Sequence, residues 1–257
     1  MSDKANRFAQ LHRPGAPFVL YNCWDAGSAR AIAKAGAQAL GTGSWSVAAA
    51  LGLEDGQRVP LETLVALAAG LVAQSDLPVS IDAEGGYADA PEEVAANIAR
   101  LAGVGVVGVN FEDRVVGGAG LFAPERQAAR IAAIRAAVGP AFFINARTDV
   151  FLQAPVADHA ALVEDALGRA ALYAQAGASG LFVPGLVDPA LIGRMAAGQA
   201  LPVNVMMAPD LPPFAALAGA GVARISHGPA SYAAAMKAVT AAARAALQMS
   251  LADKPEA

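Results

Sequence analysis

The chain is poor in the residues that would commit it to several common designs. It holds one cysteine, Cys23, in 257 residues, so neither an intrachain disulfide nor a multi-cysteine zinc site can form. Charged residues make up only 16% and the formal net charge is −4, with no basic run. That balance argues against a nucleic-acid partner or an anionic membrane surface, and against a disordered, heavily solvated chain. No apolar run reaches the ~18 residues that a membrane-spanning helix needs. The amino-terminal stretch MSDKANRFAQLHRPG has no apolar signal core, and cytoplasmic residence is expected.

Apolar residues are plentiful, at 56%, enough for a large core. Much of this is alanine, which suits close helix packing and buried contacts between subunits. Short apolar runs alternate with longer helical patterns. Strands are predicted at 18–22, 38–42, 78–82, 106–111, 141–146, 179–183, 202–206 and 222–226. They are apolar almost throughout, as strands covered on both faces are. Helices are predicted near 27–35, 61–75, 91–102, 125–138, 158–176, 188–197, 209–218 and 229–248. Gly36, Gly103, Gly177 and Gly219 are placed to close helices in the left-handed conformation. Pro91, Pro124 and Pro189 suit helix starts, and Ser28, Asp89, Asp158 and Asp188 suit caps or first turns.

Eight strand–helix pairs in unbroken alternation imply a parallel sheet with helical crossovers. The expected fold is a (β/α)8 TIM barrel in one domain over 1–257, with 1–12 as an extra helix and 249–257 as a loose tail. An open doubly wound sheet is the alternative, but no G-x-G-x-x-G follows the first strand.

Chemistry in such a barrel sits at the carboxyl ends of the strands, and there the polar residues gather. The third strand runs into Asp82-Ala83-Glu84, and the fourth ends in Glu112-Asp113-Arg114. Two residues apart in extended chain, Asp82 and Glu84 point to one face, and Glu112 can join them from the next strand. Three such acids repel unless a cation binds, and oxygen ligands favour Mg²⁺, or Mn²⁺, over zinc. The competing reading is a set of helix caps and surface ion pairs. Arg147, after the fifth strand, can hold a carboxylate or stabilise enolate charge, or form an ion pair with Asp149 or Glu112. The Gly43-Ser44 turn after Thr42 offers backbone N–H groups to an anion. His227 ends the eighth strand, as a wall residue or a substrate contact. Cys23 reads as buried, Asp25 as a helix-start residue, and His12 and His159 as surface residues.

With those residues placed, the sequence resembles the isocitrate lyase/phosphoenolpyruvate mutase superfamily over nearly its whole length. The motifs are N-C-W-D-A-G-S-A-R (22–30), G-T-G-S (41–44), L-G-L-E-D-G (51–56), V-S-I-D-A-E-G-G-Y (79–87), V-N-F-E-D-R (109–114) and I-N-A-R-T-D (144–149). The resemblance implies Asp82 as the acid binding Mg²⁺ most directly, with Glu84 and Glu112 holding it largely through water. Asp55 would belong to the same cluster, and Arg147, Gly43, Ser44 and Asn204 would bind substrate. It also implies dimers or tetramers that exchange their last helix, here 229–248. The loop Val115–Phe122 departs from the pattern. It lacks the cysteine and lysine of the isocitrate and methylisocitrate lyases, and the polar side chains of the mutases and phosphonopyruvate hydrolases. Gly185 stands near the position where the lyases carry a glutamate, and Glu84 replaces the commoner aspartate.

The expected activity is Mg²⁺-dependent cleavage of a C–C bond in a small 2-oxo or 2-hydroxy acid, through an enolate of pyruvate type. Decarboxylation of oxaloacetate asks least of the protein. The enolate needs a proton donor, for which water, His227 and Tyr87 are candidates. The alternatives are P–C bond chemistry on phosphonopyruvate, and binding of a 2-oxo acid with little turnover.

Overall fold

The computed structural model describes residues 2–252. Eight strands run parallel: β1 (Phe18–Leu20), β2 (Leu40–Gly41), β3 (Val79–Asp82), β4 (Gly108–Glu112), β5 (Phe143–Arg147), β6 (Gly180–Phe182), β7 (Val203–Met206) and β8 (Val222–Ser226). Each pairs with its neighbour in chain order from β2 to β8, and β8 pairs with β1. A parallel bridge from Cys23 to Thr42 joins the two ends of the sheet. The result is the expected (β/α)8 TIM barrel.

The helices are α1 (Ser2–Leu11), α2 (Ala26–Lys34), α3 (Ser44–Ala50), α4 (Leu61–Ala73), α5 (Pro91–Gly103), α6 (Pro124–Val138), α7 (His159–Gln175), α8 (Pro189–Ala197), α9 (Phe214–Gly219) and α10 (Ala230–Ala252). Asp25 caps α2 in a reciprocal box with Ser28, and Asp188 caps α8. Asp89 and Asp158 give no such cap. α3 is an extra element, because the Gly43–Ser46 stretch reads as a turn in sequence. α9 starts five residues later than expected, since Pro212 and Pro213 keep the preceding chain extended. The positive-φ glycines that close α5 and α9 are Gly105 and Gly221, two residues beyond those expected. α10 extends to Ala252, into the stretch expected as tail, and 253–257 lie outside the described residues. No described helix is long and apolar enough to cross a membrane.

Inside the barrel the side chains form layers. At the amino-terminal end α1 inserts Phe8, which packs edge-on against Phe18 and Phe143. His12, expected at the surface, stacks on Phe143 at 3.9 Å. Gly108 and Gly180 make room, since a Cβ at either would lie within 3.0 Å of Phe143. The next layer is polar: Asn110, Asn145, Asn204, Arg224 and Ser226, all buried. Above it, at the carboxyl ends of the strands, lies the mouth of the barrel.

Candidate active site

A cavity of about 150 Å³ opens at this mouth, and Asp55, Asp82, Arg147, Gly43 and Ser44 line it. Strand register sets the arrangement. Asp82 lies beside Asn110, and Glu112 beside Arg147. The Asp82 backbone N–H donates to Thr42 Oγ1 at 3.0 Å. Its Oδ2 accepts from the Ser44 N–H at 3.0 Å, so the turn expected to face an anion serves an acid of the protein. Asp82 Oδ1 is buried without a partner.

Glu84 reaches the cluster by a different route from the one expected. The strand stops at Asp82, and Glu84 has φ +47°. Gln57 and Tyr87 also have positive φ, at 59° and 61°. Three non-glycine residues in this costly conformation are thus gathered at one mouth. The Gln57 N–H donates to Glu84 Oε2 at 2.8 Å.

Arg147 is held by acids on two sides. Its Nε and Nη2 donate to Asp149 at 2.6 and 2.9 Å, and its Nη1 meets Glu112 Oε2 at 2.9 Å. The ion-pair reading of Arg147 is therefore correct, and it places the guanidinium at the cavity wall. Burial, then Asp82 and Asp55, pushes the Glu84 carboxyl up to about 7. Burial raises the Glu112 carboxyl against the pull of Arg147. Asp55 is raised by burial and by Asp82. These acids together crowd negative charge into a poorly solvated space.

Among the described residues no three His, Cys, Asp or Glu side chains close into one direct metal shell. The acids instead include one buried carboxylate oxygen without a partner, Oδ1 of Asp82, with Glu84, Glu112 and Asp55 around it. That is the pattern of a hard cation that keeps much of its water.

Three expected substrate contacts lie elsewhere: Thr42 does not line the cavity and gives its hydroxyl oxygen to the Asp82 N–H, and Asn204 and His227 are placed differently again. Asn204 sits in the polar layer below the cavity, accepting from Ser226 Oγ at 3.2 Å. The His227 ring lies against Tyr21, 4.6 Å between centroids, and does not line the cavity. Cys23 is fully buried, and burial raises its thiol to about 12, leaving it inert as a nucleophile. His159, expected at the surface, is buried against Phe151.

Sequence reading missed the supports. Arg130 on α6 is fully buried, and it donates to the carbonyls of Gly85 and Ala88, which flank the strained turn. Its Nη1 donates to Gln127 Oε1 at 2.6 Å, and Gln127 Nε2 donates to the Glu112 carbonyl at 2.9 Å. Asp113 is buried behind Arg147, accepting from Asp149 N–H, Tyr173 and Arg169. Arg224 is a fully buried cation under the cavity floor, held by Ser226 and Asn110. The available signal was polar residues on apolar faces: Gln127 and Arg130 share a helical stripe with Ile131 and Ile134.

The fold and the mouth together define a (β/α)8 barrel whose strand ends present several acids opposite one arginine. The phosphoenolpyruvate phosphomutase family model matches residues 8–247, and the chain belongs to that family, within the isocitrate lyase/phosphoenolpyruvate mutase superfamily. It is 39% identical over 238 residues to an uncharacterized protein of Mycobacterium tuberculosis, covering 93% of this chain and 88% of that one. A crystal structure of a proposed phosphonomutase from Burkholderia cenocepacia is 48% identical with a TM-score of 0.92, covering 95% of this chain and 99% of that one. An oxaloacetate decarboxylase of Ectopseudomonas mendocina is 31% identical over 199 residues, covering 73% of this chain and 65% of that one.

Proposed function

We propose that this protein cleaves a C–C bond of a small 2-oxo or 2-hydroxy acid through an enolate of pyruvate type, with Mg²⁺, or Mn²⁺ in its place, at Asp82, Glu84 and Glu112. The observation that carries the reading is Asp82 Oδ1, buried and without a partner among acids. A bound divalent ion would supply Lewis-acid charge beside the reacting carbonyl. The residues of the chain do the rest. Arg147 is aligned by Asp149 and Glu112, so its charge is fixed before substrate arrives and costs little reorganisation during reaction. Thr42 and Ser44 hold Asp82, and Gly43 and Ser44 line the edge of the cavity against which the acid is positioned. Asp55 extends the cluster across the mouth. The uncharged loop Val115–Phe122, rich in glycine, is suited to exclude water.

A pyruvate-release assay tests this with oxaloacetate, 2-methylisocitrate, isocitrate, dimethylmalate and phosphonopyruvate. Turnover of one carbon acid, lowered at least 10²–10³-fold in Asp82→Ala, is expected. Turnover of phosphonopyruvate alone would replace the reading with P–C chemistry, which the apolar Val115–Phe122 loop disfavours. Tight binding of 2-oxo acids with no turnover would replace it with a binding role.

We also propose a homodimer or homotetramer that exchanges α10. From Lys237 to Gln248 this helix is exposed throughout. An apolar groove of about 600 Å³ lies along β1 and α2, lined by Val19, Tyr21 and Ile32. The outer face of a barrel strand is normally covered by helix, yet Val19 is 44% exposed.

A further inference from the structure

Asn110 lines the cavity and lies beside Asp82 in the sheet. Its Oδ1 is turned into the polar layer, where it accepts from Asn145 Nδ2 at 2.9 Å and from Arg224 Nη2 at 3.3 Å. Both bonds fall on the oxygen, so the other arm of the planar amide, Nδ2, points away from them. Among the described residues this nitrogen bonds no protein acceptor, and unlike Asp82 Oδ1 it is not sealed from the cavity. Other donors at the mouth already serve the protein. The Ser44 N–H bonds Asp82, Asn22 Nδ2 bonds the Thr42 carbonyl, and Arg147 bonds Asp149 and Glu112.

Arg224 decides which way the amide points. The two ends of an amide are alike in shape and opposite in chemistry, and an arginine has donors only. The end that meets Arg224 must therefore be the oxygen. The same choice passes to Asn145, which must meet Asn110 Oδ1 with its NH2 group. Asn145 Oδ1 has no partner of its own, so Asn145 adds no independent anchor, and the orientation of the pair rests on Arg224. The cation is placed there at a cost. Arg224 is fully buried, its bonds among the described residues go to Ser226 and Asn110 and to no carboxylate, and its Nη1 is without a partner. Apolar side chains often replace such buried charges without loss of stability, so packing alone does not account for this one.

We infer that Asn110 Nδ2 donates to an oxygen of the bound 2-oxo acid, and that Arg224 is the positioning residue that holds the amide in that orientation. The inference rests on the 2-oxo-acid reading above and adds to it a ligand contact and the support of that contact.

Calorimetric titration of the full chain with pyruvate, Mg²⁺ present, tests both parts. Asn110→Ala removes the donor and is expected to weaken pyruvate binding at least about tenfold. Arg224→Met frees both amides to turn over together and is expected to lose a similar amount. The double variant is then expected to match Asn110→Ala within about twofold. Arg224→Lys keeps the charge and a donor, is expected to retain part of the affinity, and takes the place of Arg224→Met in the comparison if that variant does not fold. Losses that multiply in the double variant would make Arg224 a structural residue and overturn its positioning role. Unchanged pyruvate affinity in Asn110→Ala, or a parallel loss of Mg²⁺ affinity, would overturn the contact while leaving the 2-oxo-acid reading intact. Failure of the unaltered chain to bind pyruvate would overturn both.

Discussion

Arg147 and Asp82 use their bonding capacity in opposite ways. Arg147 gives Nε, Nη1 and Nη2 to carboxylates, whereas Asp82 keeps one buried oxygen without a partner. An uncompensated buried acceptor is costly, and a cation at that oxygen removes the cost. His12 shows the same logic for stability. Its Nδ1 bonds the Phe8 carbonyl at 2.8 Å, and its Nε2 is buried without a partner. Burial, with Arg224 adding repulsion, lowers it to about 3 from the usual 6.5. Below pH 6.5 the unfolded chain takes up a proton that the folded chain refuses until about pH 3. Stability from this group is therefore complete above pH 6.5 and falls with pH across that window, by up to ~1.4 kcal/mol per unit. Denaturant unfolding at pH 7 and pH 5 is expected to show a shallower loss for His12→Phe than for the unaltered chain. Equal losses would assign the acid sensitivity elsewhere. The placement of His12 was not legible in sequence, because its aromatic partners come from α1, β1 and β5.

At the scale of elements, α6 acts as the brace of the mouth. Its buried face carries Gln127 and Arg130 among isoleucines, and through them it holds the chain after both β3 and β4. Arg130→Met leaves two carbonyls and the Gln127 oxygen short of a donor, at a cost of about 1–3 kcal/mol in stability for each group left buried and unsatisfied. Weaker Mg²⁺ binding is expected in both Arg130→Met and the milder Arg130→Lys, measured by calorimetry at a temperature where each is folded. Unchanged affinity in both would reduce α6 to a packing element. α10 carries a separate prediction. Tyr21→Glu, in the groove beside β1, is expected to shift the assembly toward monomer in light scattering. An unchanged mass would place the subunit contact elsewhere.

For the whole molecule, the sequence was informative where local pattern and topology coincide. Alternating apolar strands and helices define the barrel, and the barrel brings Asp82 and Glu112 to one mouth from 30 residues apart. Glu84 joined them for a reason that period-2 alternation could not supply, since it leaves the strand in a left-handed turn. β7 carries Asn204 and His227 follows β8, as expected, but Asn204 is the second residue of its strand and so lies in the polar layer below the cavity, and the His227 ring packs against Tyr21. Arg224 was hidden in an apolar strand because inward and outward faces look alike when both are buried.

The central claim is that the acids at this mouth hold a divalent ion on which turnover of a 2-oxo acid depends. The measurement that tests it most directly is pyruvate release by the unaltered chain and by Asp82→Asn, each with Mg²⁺ and with excess chelator. Asp82→Asn keeps the shape and removes the charge, so it is expected to behave like the chelated native protein, at least about 10²-fold below the Mg²⁺-loaded rate. Turnover indifferent both to the chelator and to Asp82→Asn would contradict the account.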